Sequence, residues 1–186
     1  MPFDPAAYGR EVAHILALDG AGSRLMPLAH GTCCSAHARA ILAKARAEVL
    51  FPGARSPEAA LSGLWLYFSC LDESHELSQN IAGPDGSFWH GIMHRQEPDP
   101  GNAGYWFRRV GEHPVFASLN EQASAIVAAH PQCGFHLAAR WDPFAFIDFV
   151  EAGRRRPGAP AEQAALRIQR AEWQLLFHYC AIPRAT

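Results

Sequence analysis

His90 and His94 stand one helical turn apart, a spacing that turns two imidazoles toward the same point. Two such histidines can hold one divalent ion such as zinc, which polarises a carbonyl or lowers the pKa of its bound water toward neutrality. Zinc proteases of this type carry a glutamate base directly after the first histidine, and Gly91 occupies that place, which argues against a metalloprotease. The sequence offers His75, Glu76 and His113 as further ligands, and Glu97, which continues the row of His90 and His94, as a base. Without a metal, the imidazoles of His75, His90 and His94 can move protons directly, with Asp72 or Glu76 fixing the tautomer. A hydrogen-bonded interior with no chemistry accounts for the same residues. Residue types and spacing leave all three readings open.

Downstream lie Asn102, the aromatic run Tyr105-Trp106-Phe107 and the pair Arg108-Arg109. Aromatic walls with a few converging polar groups are what small-molecule pockets are made of. Asn102, Tyr105, Trp106, Arg108 and Arg109, with Arg95 from the preceding segment, are therefore the candidate substrate-binding residues. An arginine can hold a carboxylate or phosphate through two parallel N–H bonds. Ion pairs with Glu97, Asp99 and Glu112 are an equally simple use of these arginines, because fifteen arginines against one lysine reflect a GC-rich coding bias.

These side chains need elements to hold them. Helical spacing dominates and strict alternation is nearly absent, so the chain reads as an all-α single domain of about eight helices. Tyr8, Val12, Ile15 and Leu16 mark a first helix; Ala36 to Leu50 is a second. Ser56-Pro57-Glu58 opens a long third helix reaching about Ile81. Its core stripe, Leu61, Leu64, Trp65, Phe68 and Leu71, runs on into Asp72, His75, Ser78 and Gln79, so an apolar face turns polar. Buried polar groups must find partners, since each one left alone costs about 1–3 kcal/mol. Ser87 to Arg95 is a fourth helix and Asn102 caps a fifth, which Gly111 ends. Leu119 to His130, Pro143 to Gly153 and Pro160 to Cys180 complete the set, and residues 131–140 are the one place for a short strand.

The string Gly86-Ser87-Phe88-Trp89-His90-Gly91-Ile92-Met93-His94-Arg95, followed by residues 102–116 and preceded by Glu73-Ser74-His75-Glu76, resembles a family of uncharacterised bacterial and fungal proteins. The resemblance implies shared architecture across residues 73–116 and carries no activity with it.

Composition excludes several classes. With 186 residues, 49% of them hydrophobic and 18% charged, the chain can bury a real core and is not disordered. A net charge of −2 provides no field for nucleic acid or an anionic membrane. No secretory leader is evident in the opening Met1-Pro2-Phe3-Asp4-Pro5, and no apolar run is long enough to span a bilayer, so a cytoplasmic protein is expected. Five scattered cysteines then read as reduced thiols. Cys33 and Cys34 near a helix start, beside His30 and His37, are a second candidate for nucleophilic chemistry, although small buried cysteines explain them more cheaply.

The expectation is thus an enzyme acting on a small anionic molecule, metal-assisted or histidine-based. The alternative is a non-catalytic binding or interaction protein whose polar interior is a network.

Overall fold

The computed structural model describes residues 3–183; the reading of the leader at Met1 and Pro2 lies outside them. Among the described residues there are ten α-helices and no strand, the only β pairing being an isolated bridge between Ala54 and Pro183. The helices are α1 (Arg10–Ala17), α2 (Ala36–Leu42), α3 (Ala47–Leu50), α4 (Pro57–Tyr67), α5 (Leu71–Ser78), α6 (Pro84–Gln96), α7 (Pro100–Val110), α8 (Val115–Ala129), α9 (Pro143–Arg154) and α10 (Pro160–Ala181). Residues 131–140 form no strand. No helix among the described residues is long and apolar enough to cross a membrane.

Two helices sit at the centre. Every residue of α4 from Ala59 to Tyr67 is buried, and so is every residue of α6 from Gly86 to Gln96. They cross closely because Gly63 has no side chain: a Cβ there would lie 2.7 Å from the Trp89 indole. On its other side α4 meets α10, where Trp173 Nε1 donates to the Gly63 carbonyl at 2.8 Å. Helix α7 covers α6, α5 packs between α4 and α6, and α8 and α9 close over α10.

The long third helix expected from the hydrophobic stripe is two helices, and the reason lies at residues 68–70. Ser69 takes a left-handed backbone (φ 58°), the Cys70 amide donates to the Trp65 carbonyl and the Ser69 amide to that of Leu66, both at 3.0 Å. This is a Schellman ending with serine where glycine is usual, which is why no glycine announced it. The break gives α5 a new direction. Asp72 and Gln79 are exposed, His75 is half-buried and Ser78 is buried, so the stripe does not continue as one face. The second expected helix likewise divides into α2 and α3.

One helix start also differs from expectation. Asp99, not Asn102, caps α7: its carboxylate accepts from the Asn102 amide at 3.0 Å, and Pro100 takes the first turn. Gly111 ends α7 as expected, at φ 63°.

The thiol expectation is corrected for one pair: Cys33 and Cys70 are joined as a disulfide, while Cys34, Cys133 and Cys180 are free. In this state Cys33 is not available as a nucleophile. Cys34 is exposed as a residue, but partial desolvation of its thiol, together with the Asp19 carboxylate it faces, raises its pKa, which disfavours the reactive thiolate.

Candidate metal centre

Helix α6 contributes two side chains to the site by its own geometry. His90 and His94, four residues apart, lie on one side of it with ring centroids 4.7 Å apart. Helix α5 contributes the third. His75 stands 4.6 Å from the His90 ring and 5.4 Å from the His94 ring. One ring nitrogen from each of the three can be chosen so that all lie within 4.8 Å of one another. Around a tetrahedral ion, nitrogens at about 2.0–2.1 Å would stand about 3.3 Å apart, so modest ring movements close the set.

The other ring nitrogens decide which lone pairs face inward. Ser78 Oγ lies 2.9 Å from His90 Nδ1 and 3.3 Å from the His75 carbonyl, which can only accept. With the serine proton on the carbonyl, the hydroxyl oxygen accepts from His90 Nδ1–H and His90 Nε2 keeps its lone pair. At His94, Nδ1 lies 3.0 Å from Glu97 Oε2. The approach is off-line, and that nitrogen has no well-aligned hydrogen bond, but a carboxylate beside it favours the proton there. His94 Nε2 is then the free ligand atom as well. Imidazoles that bind metals characteristically have the second nitrogen held in this way.

Burial works in the same direction. His90 and His94 are 2% and 8% exposed. Burial, followed by the like charges of His94 and His75, pushes the His90 imidazole down to about 3. Burial also lowers His94, against the opposing pull of Glu97. Both rings therefore stay neutral near pH 7, the form in which imidazole donates to a metal.

Trp106 lids the group, its ring centroid 4.0 Å from that of His90. The Arg109 guanidinium stands 5.2 Å from the Trp106 ring on the exposed surface of α7, and the half-exposed Tyr105 hydroxyl lies 3.5 Å from it. Gly91 now has a physical explanation. A Cβ there would meet the Phe107 ring at 3.0 Å, so a glutamate at this position would have to push α7's Phe107 aside.

Several candidate residues are placed elsewhere. His113 is no ligand: its Nδ1 accepts from the Val115 amide at 3.2 Å, and its Nε2 donates to Asp85 at 3.1 Å. That histidine ties the start of α8 to the start of α6. Glu76 is exposed and outside the histidine group. Glu97 orients His94, which makes it a positioning residue rather than a free base. Asn102 is exposed, its side chain spent on Asp99 at 2.6 Å.

Arg95 is withdrawn from any ligand. It is fully buried, pairs with the equally buried Glu172 of α10, and lies 4.5 Å from the Phe146 ring. The expected partners, Glu97, Asp99 and Glu112, were its near neighbours in sequence; the real one comes from the far end of the chain. Arg108 faces a separate cleft of about 710 Å³ between α7, α8 and the segment leading into α9, with Phe107, His113, Trp141 and Phe144 also on its walls. Of the three arginines, Arg109 is the one that stands over the Trp106 ring, which itself packs on His90.

No protein-family model, no curated protein and no solved structure matches this chain.

Proposed function

We propose that the protein is a metal-dependent enzyme, holding a divalent ion such as zinc through His75, His90 and His94 and acting on a small anionic organic molecule. The observation that carries this reading is the pair of outward partners. Ser78 beside His90 Nδ1 and Glu97 beside His94 Nδ1 are placed to favour the tautomer that turns a lone pair into the group. A structural histidine network has no need to keep its nitrogens converging and unprotonated.

Three neutral ligands leave the charge of an ion uncompensated, and a fourth position stays open for water or substrate. Such an ion supplies Lewis acidity, polarising a carbonyl or phosphoryl oxygen or acidifying bound water. The chain supplies the rest. His75, half-buried where its two partners are buried, marks the side from which solvent reaches the group. Trp106 provides an aromatic face beside it, and Arg109 has no carboxylate partner among the described residues, leaving its charge for an anionic substrate group.

Elemental analysis of tag-free protein, reconstituted with zinc and then dialysed, tests the reading. One equivalent of metal that His90→Ala and His94→Ala each lose, with helical circular dichroism intact, is the expected result. Parent protein that retains no ion after reconstitution overturns it and returns the three histidines to a purely structural role.

A further inference from the structure

The three ligands are not equally anchored. His90 and His94 share one turn of the buried stretch of α6, so their spacing is set before any ion arrives. His75 comes from α5, which is only eight residues long and has no side-chain cap at its N-terminus. A helix that short does not hold itself in water and depends on its attachments. Whether the site is complete therefore depends on where α5 sits against α6.

The start of α5 is held from two sides: its Ser74 exchanges hydrogen bonds with the hydroxyl and carbonyl of Ser62 on α4 at 3.1–3.2 Å, and residues 24–39 hold the turn that leads into it. Cys70, its N-cap residue, is bonded to Cys33. The adjacent Cys34 amide donates to the Phe68 carbonyl at 2.8 Å. Arg24 reaches Ser69 Oγ at 3.0 Å, and Arg39 of α2 pairs with Glu73 at 2.6 Å. Within this set the disulfide is the only covalent attachment. It sits five residues, under one and a half turns, before His75 and cross-links positions 37 apart in the chain.

We propose that the Cys33–Cys70 disulfide is a redox clamp on the metal centre: bonded, it docks His75 against His90 and His94, and reduced, it lets α5 withdraw that ligand. The inference rests on the metal reading above. Reduction by a dithiol balances as two electrons and two protons. A thiolate of the reductant attacks the sulfur of Cys33, the half-buried member, and Cys70 leaves as a thiolate that takes up a proton. The second thiol of the reductant then displaces Cys33, and the reductant departs as its own disulfide.

Linkage makes the effect reciprocal. If reduction weakens zinc binding tenfold, zinc makes the disulfide tenfold harder to reduce, which for this two-electron couple is about 30 mV.

Two measurements on the full chain test the clamp. In the first, zinc affinity is determined by competition with a chromophoric chelator for the oxidised protein and for the Cys33→Ser/Cys70→Ser variant, which removes the bond without adding thiols that bind zinc themselves. Affinity at least about tenfold weaker in the variant is expected. In the second, the unmodified protein is equilibrated in glutathione buffers with and without zinc, and disulfide content is read by alkylation and mass. A midpoint moved to more reducing potential by zinc is expected, and this arm needs no variant to fold. Equal affinities together with an unmoved midpoint overturn the clamp and leave the metal site standing. A disulfide absent at every buffer ratio also overturns the clamp. Failure of the oxidised protein to bind zinc at all overturns the metal reading itself.

Discussion

The hydroxyl of Ser78 lies between two of the three histidines, 2.9 Å from the ring of His90 and 3.3 Å from the backbone carbonyl of His75. One side chain thereby links His90 of α6 to the helix that carries His75. Ser78→Ala should leave the fold intact and lower zinc affinity about 10- to 100-fold, the usual cost of removing the partner behind a metal-binding imidazole. Chelator competition measures it. Affinity within a factor of two of the parent would show that the tautomer is not held by this serine.

The metal-free protein should lose stability in acid. The ordinary imidazole value is 6.5, and His90 is held down to about 3 in the fold. Between those values the unfolded chain takes up a proton at this position and the folded chain does not. Falling pH therefore favours unfolding: this contribution is fully present above 6.5 and is lost progressively below it. Melting curves from pH 7.5 to 4 should show Tm falling with pH, and His90→Gln should flatten the slope. A variant with the parent's slope would assign the acid sensitivity to other groups.

Trp106 should report occupancy of the site. Its ring lies 4.0 Å from the His90 ring, close enough for a bound paramagnetic ion to quench its emission. Titration with cobalt(II) should lower tryptophan fluorescence to an endpoint near one equivalent, and Trp106→Phe should remove the largest part of the quench. An undiminished quench in that variant would place the ion away from this lid.

Arg95 and Glu172 make a separate, structural prediction. Both side chains are fully buried, so removing one leaves the other charge stranded. Glu172→Ala should cost about 3–5 kcal/mol, or a Tm lower by about 6–20 °C for a domain of this size. Replacing both residues with apolar side chains of similar volume should recover much of the loss. If Glu172→Ala melts within about 2 °C of the parent, the pair contributes little to stability.

Installing the protease motif should fail for a steric reason. Gly91→Glu brings a side chain against the Phe107 ring where α6 packs on α7. Overpacking of this kind costs about 1–3 kcal/mol, and no peptidase activity should appear. A variant that folds as well as the parent would show that α7 can move aside.

The helical class was legible because apolar residues recur at helical spacing along most of the chain, and the pairing of His90 with His94 comes from i, i+4 alone. His75 could be named as a candidate but not chosen over Glu76 or His113. That choice depends on the break at Ser69, a left-handed turn made without glycine. Glu172 was missed although a signal existed: it lies on the stripe of Ile168, Trp173 and Leu176, and a carboxylate among core positions requires a buried cation. Nothing in the spacing of Cys33 and Cys70 announced their bond, because a contact between distant segments leaves no periodic trace.

The Arg95–Glu172 pair also bears on the order in which the molecule is made. Helix α6 carries His90 and His94 and, one residue later, a guanidinium whose carboxylate partner is not among its neighbours in sequence. Its counter-charge is synthesised only with α10. Until that segment has left the ribosome, the histidine-bearing helix would bury an unbalanced cation, so it cannot settle into its final place. Assembly of the centre is thereby timed to the arrival of α10, and a chain interrupted before residue 172 should emerge without a competent site.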